Sequence, residues 1–153
     1  MTLPPSDEHA SYDPLGEDVA DEVVAEMRDQ SQLDFDLAFY GRVLERAPNY
    51  LDVLRCQGEL LTRKGLHREA LAIDRRLARL LPDDPIVRYN LACSLALNGQ
   101  IDAGLAELRL ALEQGYEDLD YLQADSDLDN LRDDPRYHAL LRQFLSGVAG
   151  DEN

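Results

Sequence analysis

The chain has 153 residues, 44% of them apolar, and a formal net charge of −16 at pH 7. That length suits one domain with a real core, while the acidic balance argues against nucleic acid and anionic membrane surfaces, which need a net basic footprint. No run approaches the roughly 18 apolar residues of a membrane span, and with Trp absent and aromatics at 7%, Leu, Val and Ala must carry the packing.

Residues 1–16 hold three prolines and little apolar content, which predicts an extended, flexible acidic arm. Met1–Ala10 has neither the basic region nor the apolar core of a signal peptide. A helix is expected from Glu17, with Val19, Ala20, Val23, Val24 and Met27 as its apolar stripe. A turn at Ser31 and Gln32 then leads to a second helix from about Asp34 to Arg46. That helix should bury Leu37, Tyr40, Val43 and Leu44 and end before Pro48. Residues 1–36 carry eleven acidic side chains against Arg28 alone, a net charge of −10.

From here the chain repeats itself. Pro48 and Pro82, Gly65 and Gly99, Leu61 and Leu95, and Val53 and Val87 are each 34 apart, and Leu37, Leu71 and Leu105 continue at the same step. A fixed period near this length marks a solenoid of stacked helix pairs. In the repeat 51–84 the first helix presents Val53, Leu54, Gly58 and Leu61 and breaks at Gly65. Its second presents Ala70, Leu71, Leu77 and Leu81 and stops at Pro82. In the repeat 85–118 the first helix presents Val87, Leu91, Ala92 and Leu95 and turns at Asn98-Gly99. The second presents Leu105, Leu108, Ala111 and Leu112 and ends near Gly115. Gly58 and Ala92 are equivalent, as are Ala70 and Gly104, so small residues are expected where paired helices cross. Residues 37–116 are electrically balanced at +1, and residues 117–153 are acidic again at −7.

The segment 119–150 is expected to cap the last apolar face, as a solenoid requires. Asp134 can N-cap a helix with Pro135 in its first turn. Tyr137, Leu140, Leu141, Phe144 and Leu145 form its stripe, and Gly147 is expected to stop it.

These residues resemble a tetratricopeptide repeat protein. The repeat 85–118 matches that family's pattern at Leu91, Ala92, Leu95, Gly99, Leu105, Leu108 and Ala111. The repeat 51–84 matches at Leu54, Gly58, Leu61, Gly65, Ala70, Leu71 and Pro82. The segment 17–50 matches mainly in its second half, through Leu37, Tyr40, Leu44 and Pro48; Val24 stands where the family has Gly and Asp36 where it has Ala. Closing segments like 119–150 end many bacterial proteins of the family. The resemblance implies an all-α, right-handed superhelix of about three helix pairs over 17–118 (17–50, 51–84, 85–118) with a C-terminal capping helix.

The resemblance also implies a site. In the family the first helix of each repeat lines the concave face, which here selects Asp52, Arg55, Glu59, Thr62 and Arg63, then Ile86, Tyr89, Cys93, Ala96 and Leu97, with Asn90 beside them. A polar stretch meets an apolar one, a mixture suited to an extended or helical peptide. The competing reading is that Ile86, Tyr89 and Leu97 pack against the capping segment. Arg55 and Asn90 occupy two places of the family's carboxylate clamp, but Glu59 and Asp120 would repel a carboxylate, so the clamp is rejected.

Other constellations read as structural. Arg68, Arg75, Arg76 and Arg79 form an outer face, read as solvated and paired with the chain's own acidic ends. Asp125, Asp127 and Asp129 imitate a calcium loop, but Asn130 and Arg136 replace its Gly and its bidentate Glu; helix capping explains the aspartates instead, and no metal or cofactor is expected. Enzyme signatures are absent: no phosphate loop precedes Lys64, and His9, His67 and His138 are scattered. Cys56 and Cys93 are read as fillers of small first-helix positions, and their number and spacing suit a reducing cytoplasm. The expected role is a non-enzymatic adaptor or scaffold that binds a protein or peptide partner in the concave groove. The alternative is a small acidic secretion-type chaperone that cradles an unfolded substrate segment.

Overall fold

A computed structural model of the chain describes the backbone of residues 17–148 and the side chains of residues 21–146. The expected arm over 1–16, the side chains of Val19 and Ala20, and the end of the cap at 149–150 lie outside the described residues. Those residues form α-helices with no strand: α1 (Glu17–Arg46), α2 (Leu51–Arg63), α3 (His67–Leu80), α4 (Pro85–Leu97), α5 (Ile101–Glu113), α6 (Leu119–Ala124), a 3-10 turn (Ser126–Leu128), α7 (Asp129–Arg132) and α8 (Pro135–Val148). The architecture is an all-α helical solenoid. The chain divides into two units at Asp36/Leu37, inside α1.

In the second unit the helix pairs α2–α3 and α4–α5 are made by one recurring turn. Gly65 has φ 77° and Gly99 has φ 71°, the left-handed region where a Cβ is penalised. There Gly65 N–H bonds to Thr62 O and Leu66 N–H reaches back to Leu61 O; Gly99 and Gln100 repeat both bonds to Ala96 and Leu95. This is the Schellman closure, which satisfies carbonyls that the helix end leaves open. Gly115 (φ 98°) and Tyr116 make it a third time, to Leu112 and Ala111. At the other junction Asp84 N-caps α4, accepting from Ile86 N (2.9 Å) and Val87 N (3.2 Å), with Pro85 in the first turn.

Packing follows the 34-residue register. Leu54, Leu71, Leu77, Ala78, Val87, Leu91 and Leu95 form one buried cluster. A second joins Tyr89, Ala92, Cys93, Ala96, Leu105, Leu108, Ala111 and Leu112 to residues of the cap, including Leu122, Leu128, Leu131, Tyr137, Leu140 and Leu141. Small residues stand at the crossings. A Cβ on Gly58 would lie 3.3 Å from both Asp74 Oδ1 and Ile73 Cγ2, and one on Gly104 would lie 3.1 Å from Leu131 Cδ2. The cap is also tied by polar bonds: Asn130 Nδ2 donates to Ala96 O (2.8 Å), and Arg132 donates to Asp125 O (2.6 Å). Asp134 caps α8 by accepting from Arg136 N at 2.9 Å. Gly147 does not stop that helix, which runs to Val148; one glycine in a helix costs only about 1 kcal/mol.

The largest departure from expectation is α1. It is one helix of 30 residues where a helix pair with a turn at Ser31 and Gln32 was expected. The reason is local. Ser31 stands 34 residues before Gly65, at the register of the turn glycine. A side chain there would meet a left-handed penalty of roughly 1–2 kcal/mol. Staying helical costs Ser or Gln only a few tenths of a kcal/mol relative to Ala, and Gln32 Nε2 donates to Asp36 Oδ1 across one turn (2.8 Å). Consequently the stripe expected to be buried is not: Val23, Val24 and Met27 are 44%, 45% and 66% exposed. Leu37, Tyr40, Val43 and Leu44 are only partly buried.

Candidate functional site

A cavity of about 720 Å³ lies in the second unit, bounded by α2, α4 and the capping segment. Nine of the eleven expected groove residues line it: Arg55, Glu59, Thr62 and Arg63 from α2, and Ile86, Tyr89, Asn90, Cys93 and Leu97 from α4. Asp52 is exposed and lies outside the lining, and Ala96 is buried in the core behind it. The capping side adds Tyr116, Asp118, Tyr121, Asp125 and Asp127, and α3 adds Asp74 and Leu77.

The lining residues are not equivalent. Tyr89 is 3% exposed, stacked on Tyr116 (centroids 4.3 Å apart, planes at 9°), and its hydroxyl donates to Asp125 Oδ2 at 2.6 Å. Cys93 Sγ reaches the same carboxylate at 3.7 Å. Burial, then the neighbouring Cys93 and Asp125, push Tyr89 well above the usual phenol range. Burial beside Asp125 likewise raises the Cys93 thiol, so it is protonated and a poor nucleophile. Burial and Asp118 push Tyr116 up to about 12. Thus Tyr89 and Cys93 form a floor locked to the cap, and Tyr89 is a core residue. Ile86 behaves otherwise: it is 55% exposed, so the cap does not bury it, whereas Tyr89 packs against the cap as the competing reading had it. Tyr121, at 56%, is also exposed on the lining.

The two walls differ in charge. On α2, Arg55 is held by Asp84 at 3.2 Å. Burial opposes ionisation of Asp84, but the Val87 N–H, the Arg55 guanidinium and the Ile86 N–H outweigh it and hold the carboxyl below its ordinary value. Arg63 is exposed on the same wall. On the capping wall stand Asp118, Asp125 and Asp127. Burial and Asp125 raise Asp127, with His67 acting against them.

Sequence reasoning missed Asp74. It is 8% exposed beneath Gly58 and accepts a short hydrogen bond from the buried Ser94. Burial pushes it up to about 6 despite that bond. Its signal was its place on the stripe Leu71–Asp74–Ala78, at helical spacing among apolar residues. The outer helix face is solvated as expected, with Arg68, Arg75 and Arg79 exposed and Arg76 half-buried. Among the described residues, Arg75 bonds to Gln100 (3.0 Å) and Arg76 to Asn49 (3.2 Å), neutral amides in the turns of neighbouring repeats. Cys56, expected to fill a small packing position, is exposed. Asp125 N-caps the 3-10 turn through Asp127 N (3.0 Å), and Asp129 pairs with Arg132.

No protein-family model matches the chain. A curated chloroplastic protein of Arabidopsis thaliana is 34% identical over 94 residues, 58% of this chain. The chain spans only about a quarter (27%) of that relative. Among solved structures, MamA from residue 41 to its end, from Desulfovibrio magneticus RS-1, has a TM-score of 0.63 at 15% identity, covering 94% of this chain and 82% of that one. At that identity the likeness is one of fold, a tetratricopeptide-like helical repeat. No helix among the described residues is long and apolar enough to cross a membrane.

Proposed function

We propose that this chain is a non-enzymatic protein-interaction scaffold that receives a peptide or protein segment in the cavity between α2, α4 and the capping segment. The observation that carries this reading is the composition of the lining. Exposed Ile86 and Tyr121 offer apolar area, with Arg63 on the α2 wall and Asp118 and Asp127 on the capping wall. A segment with an apolar anchor and a basic side chain turned to the cap complements that arrangement. The fold supports the reading in general terms, since helical repeats of this kind present extended surfaces to partners. Both thiols are free, which fits the reducing cytoplasm proposed as its location.

The test uses the full chain as bait, with retained proteins identified by mass spectrometry. Ile86→Asp and Arg63→Glu should each reduce a specific partner about tenfold or more, because anchors of this type dominate interface energy. Both side chains are exposed, so helical content should not change. Arg75→Ala/Arg76→Ala on the outer face is the control. A partner lost with the outer pair and retained by both groove variants would place recognition elsewhere. Recovery of one unfolded polypeptide, stabilised only on co-expression, would favour the secretion-type chaperone.

A further inference from the structure

The lining of the cavity includes a charge that the repeats leave unanswered. Asp74 of α3 reaches that lining while being 8% exposed. Its Oδ2 accepts the hydroxyl of Ser94 on α4. Among the described residues its Oδ1 accepts no hydrogen bond, and burial and Ser94 are the influences on the carboxyl. Oδ1 faces α2 at Gly58, where a Cβ would stand 3.3 Å away, so the glycine leaves that oxygen room. The charged neighbours do not compensate it. On α2, Arg55 is held by Asp84, Glu59 has the same sign as Asp74, and Arg63 is exposed. On α4 the Cys93 thiol is protonated, and Asp118, Asp125 and Asp127 stand on the capping wall. Burial raises Asp74 to about 6, which leaves it ionised at neutral pH, where a buried charge without a counter-charge is costly.

Resting on the groove reading above, we infer that the cavity selects a lysine of its peptide partner, whose ammonium pairs with Asp74 Oδ1 beside Gly58. The ammonium supplies the missing counter-charge and a donor to the open oxygen. Arginine suits the site less well. Its planar fork engages a carboxylate through both oxygens, and Oδ2 is already taken by Ser94. An ammonium is a point charge and needs one oxygen. The unbranched lysine stem has apolar surface to lie on, since Leu77 and Leu97 line the same cavity. Protonation of Asp74 removes the attraction, so affinity for the lysine falls as pH drops through about 6.

The full chain is titrated with Nα-acetyl-lysinamide while NMR follows the carboxyl carbon of Asp74 as pH is varied. At saturation the Asp74 midpoint should fall from about 6 by about one unit, a tenfold preference of the amine for the ionised carboxyl. Nα-acetyl-norleucinamide, an uncharged stem of similar length, should leave the midpoint unchanged. Nα-acetyl-argininamide should bind about threefold more weakly or worse; equal binding would overturn the selection of lysine. Asp74→Asn should weaken the lysine probe about tenfold at pH 7 with unchanged far-UV circular dichroism. A midpoint indifferent to the amine, or equal binding to Asp74→Asn, would overturn the pairing and leave the amine to the aspartates of the cap. The groove reading fails separately. A partner that needs Ile86 and Arg63 but tolerates Asp74→Asn removes this inference alone. An amine that shifts Asp74, beside a partner indifferent to Ile86 and Arg63, removes the groove reading alone.

Discussion

Helix α1 and the pairs α2–α5 carry the same apolar rhythm, yet one is a single helix and the others fold back. The contrast isolates what each signal does. Helical spacing states which face is apolar. Whether that face is covered within the chain depends on a single position per repeat. At Gly65 and Gly99 the backbone enters the left-handed region and two closing hydrogen bonds follow. At Ser31, in the same register, the helix continues and Val23, Val24 and Met27 stay exposed.

The largest test of this contrast concerns the cap, which gives the repeats the cover that α1 lacks. Removing residues 135–153 takes away Tyr137, Leu140 and Leu141, all buried with Leu105, Leu108 and Leu112. Losing even one such side chain to Ala costs about 2–5 kcal/mol. The truncated chain should therefore aggregate or lose its cooperative thermal transition. A monomeric chain with wild-type cooperativity would show the cap to be dispensable.

Burial has an electrostatic cost in the repeats that exposed α1 does not meet. Asp74 is raised from 3.8 to about 6. A carboxyl raised in the folded state favours folding while protonated; that contribution is complete below pH 3.8 and is lost as pH rises through about 6. At about 1.4 kcal/mol per unit, the loss is about 3 kcal/mol. Asp74→Asn should remove this slope, so its melting temperature should gain on the wild type steadily between pH 4 and 7. A constant difference over that window would mean that Asp74 is already solvated.

A smaller effect addresses the turn itself. Gly99→Ala should destabilise the repeats by about 1–2 kcal/mol, the cost of a Cβ at φ 71°. No Cβ clash contributes, because nothing lies within 4 Å. Ser31→Gly is the reciprocal change. It should lower the helicity of the chain slightly and permit the fold-back that wild-type α1 lacks. If both substitutions are silent, the glycine is not what separates the two regions.

Much of this was legible in the sequence, and the limits have physical causes. The period of 34 placed Leu54, Gly58, Leu61, Leu91, Ala92 and Leu95 in the core, and the family resemblance named nine residues of α2 and α4 that line the cavity. It could not foretell the Tyr89–Asp125 bond. The cap has no repeat register, and the partners are 36 residues apart. The same blindness made Tyr89 look like a binding anchor when it is a core residue. Asp74 was passed over because an isolated carboxyl on an otherwise charged helix reads as solvated. At α1 the apolar pattern was right and the turn was wrong: Ser and Gln are tolerated in turns, but nothing in Ser31-Gln32 forces one.

The contrast between α1 and the repeats is tested most directly by the local backbone at Ser31 and Gln32. Cα chemical shifts of Gln30, Ser31, Gln32 and Leu33 report whether the helix continues through the register of the turn glycine. Helical secondary shifts at all four residues are the result expected here. Shifts at Ser31 or Gln32 that leave the helical range, with helical values resuming from Asp34, would mean that the chain turns there like its neighbours, and the distinction drawn between the two regions would fall.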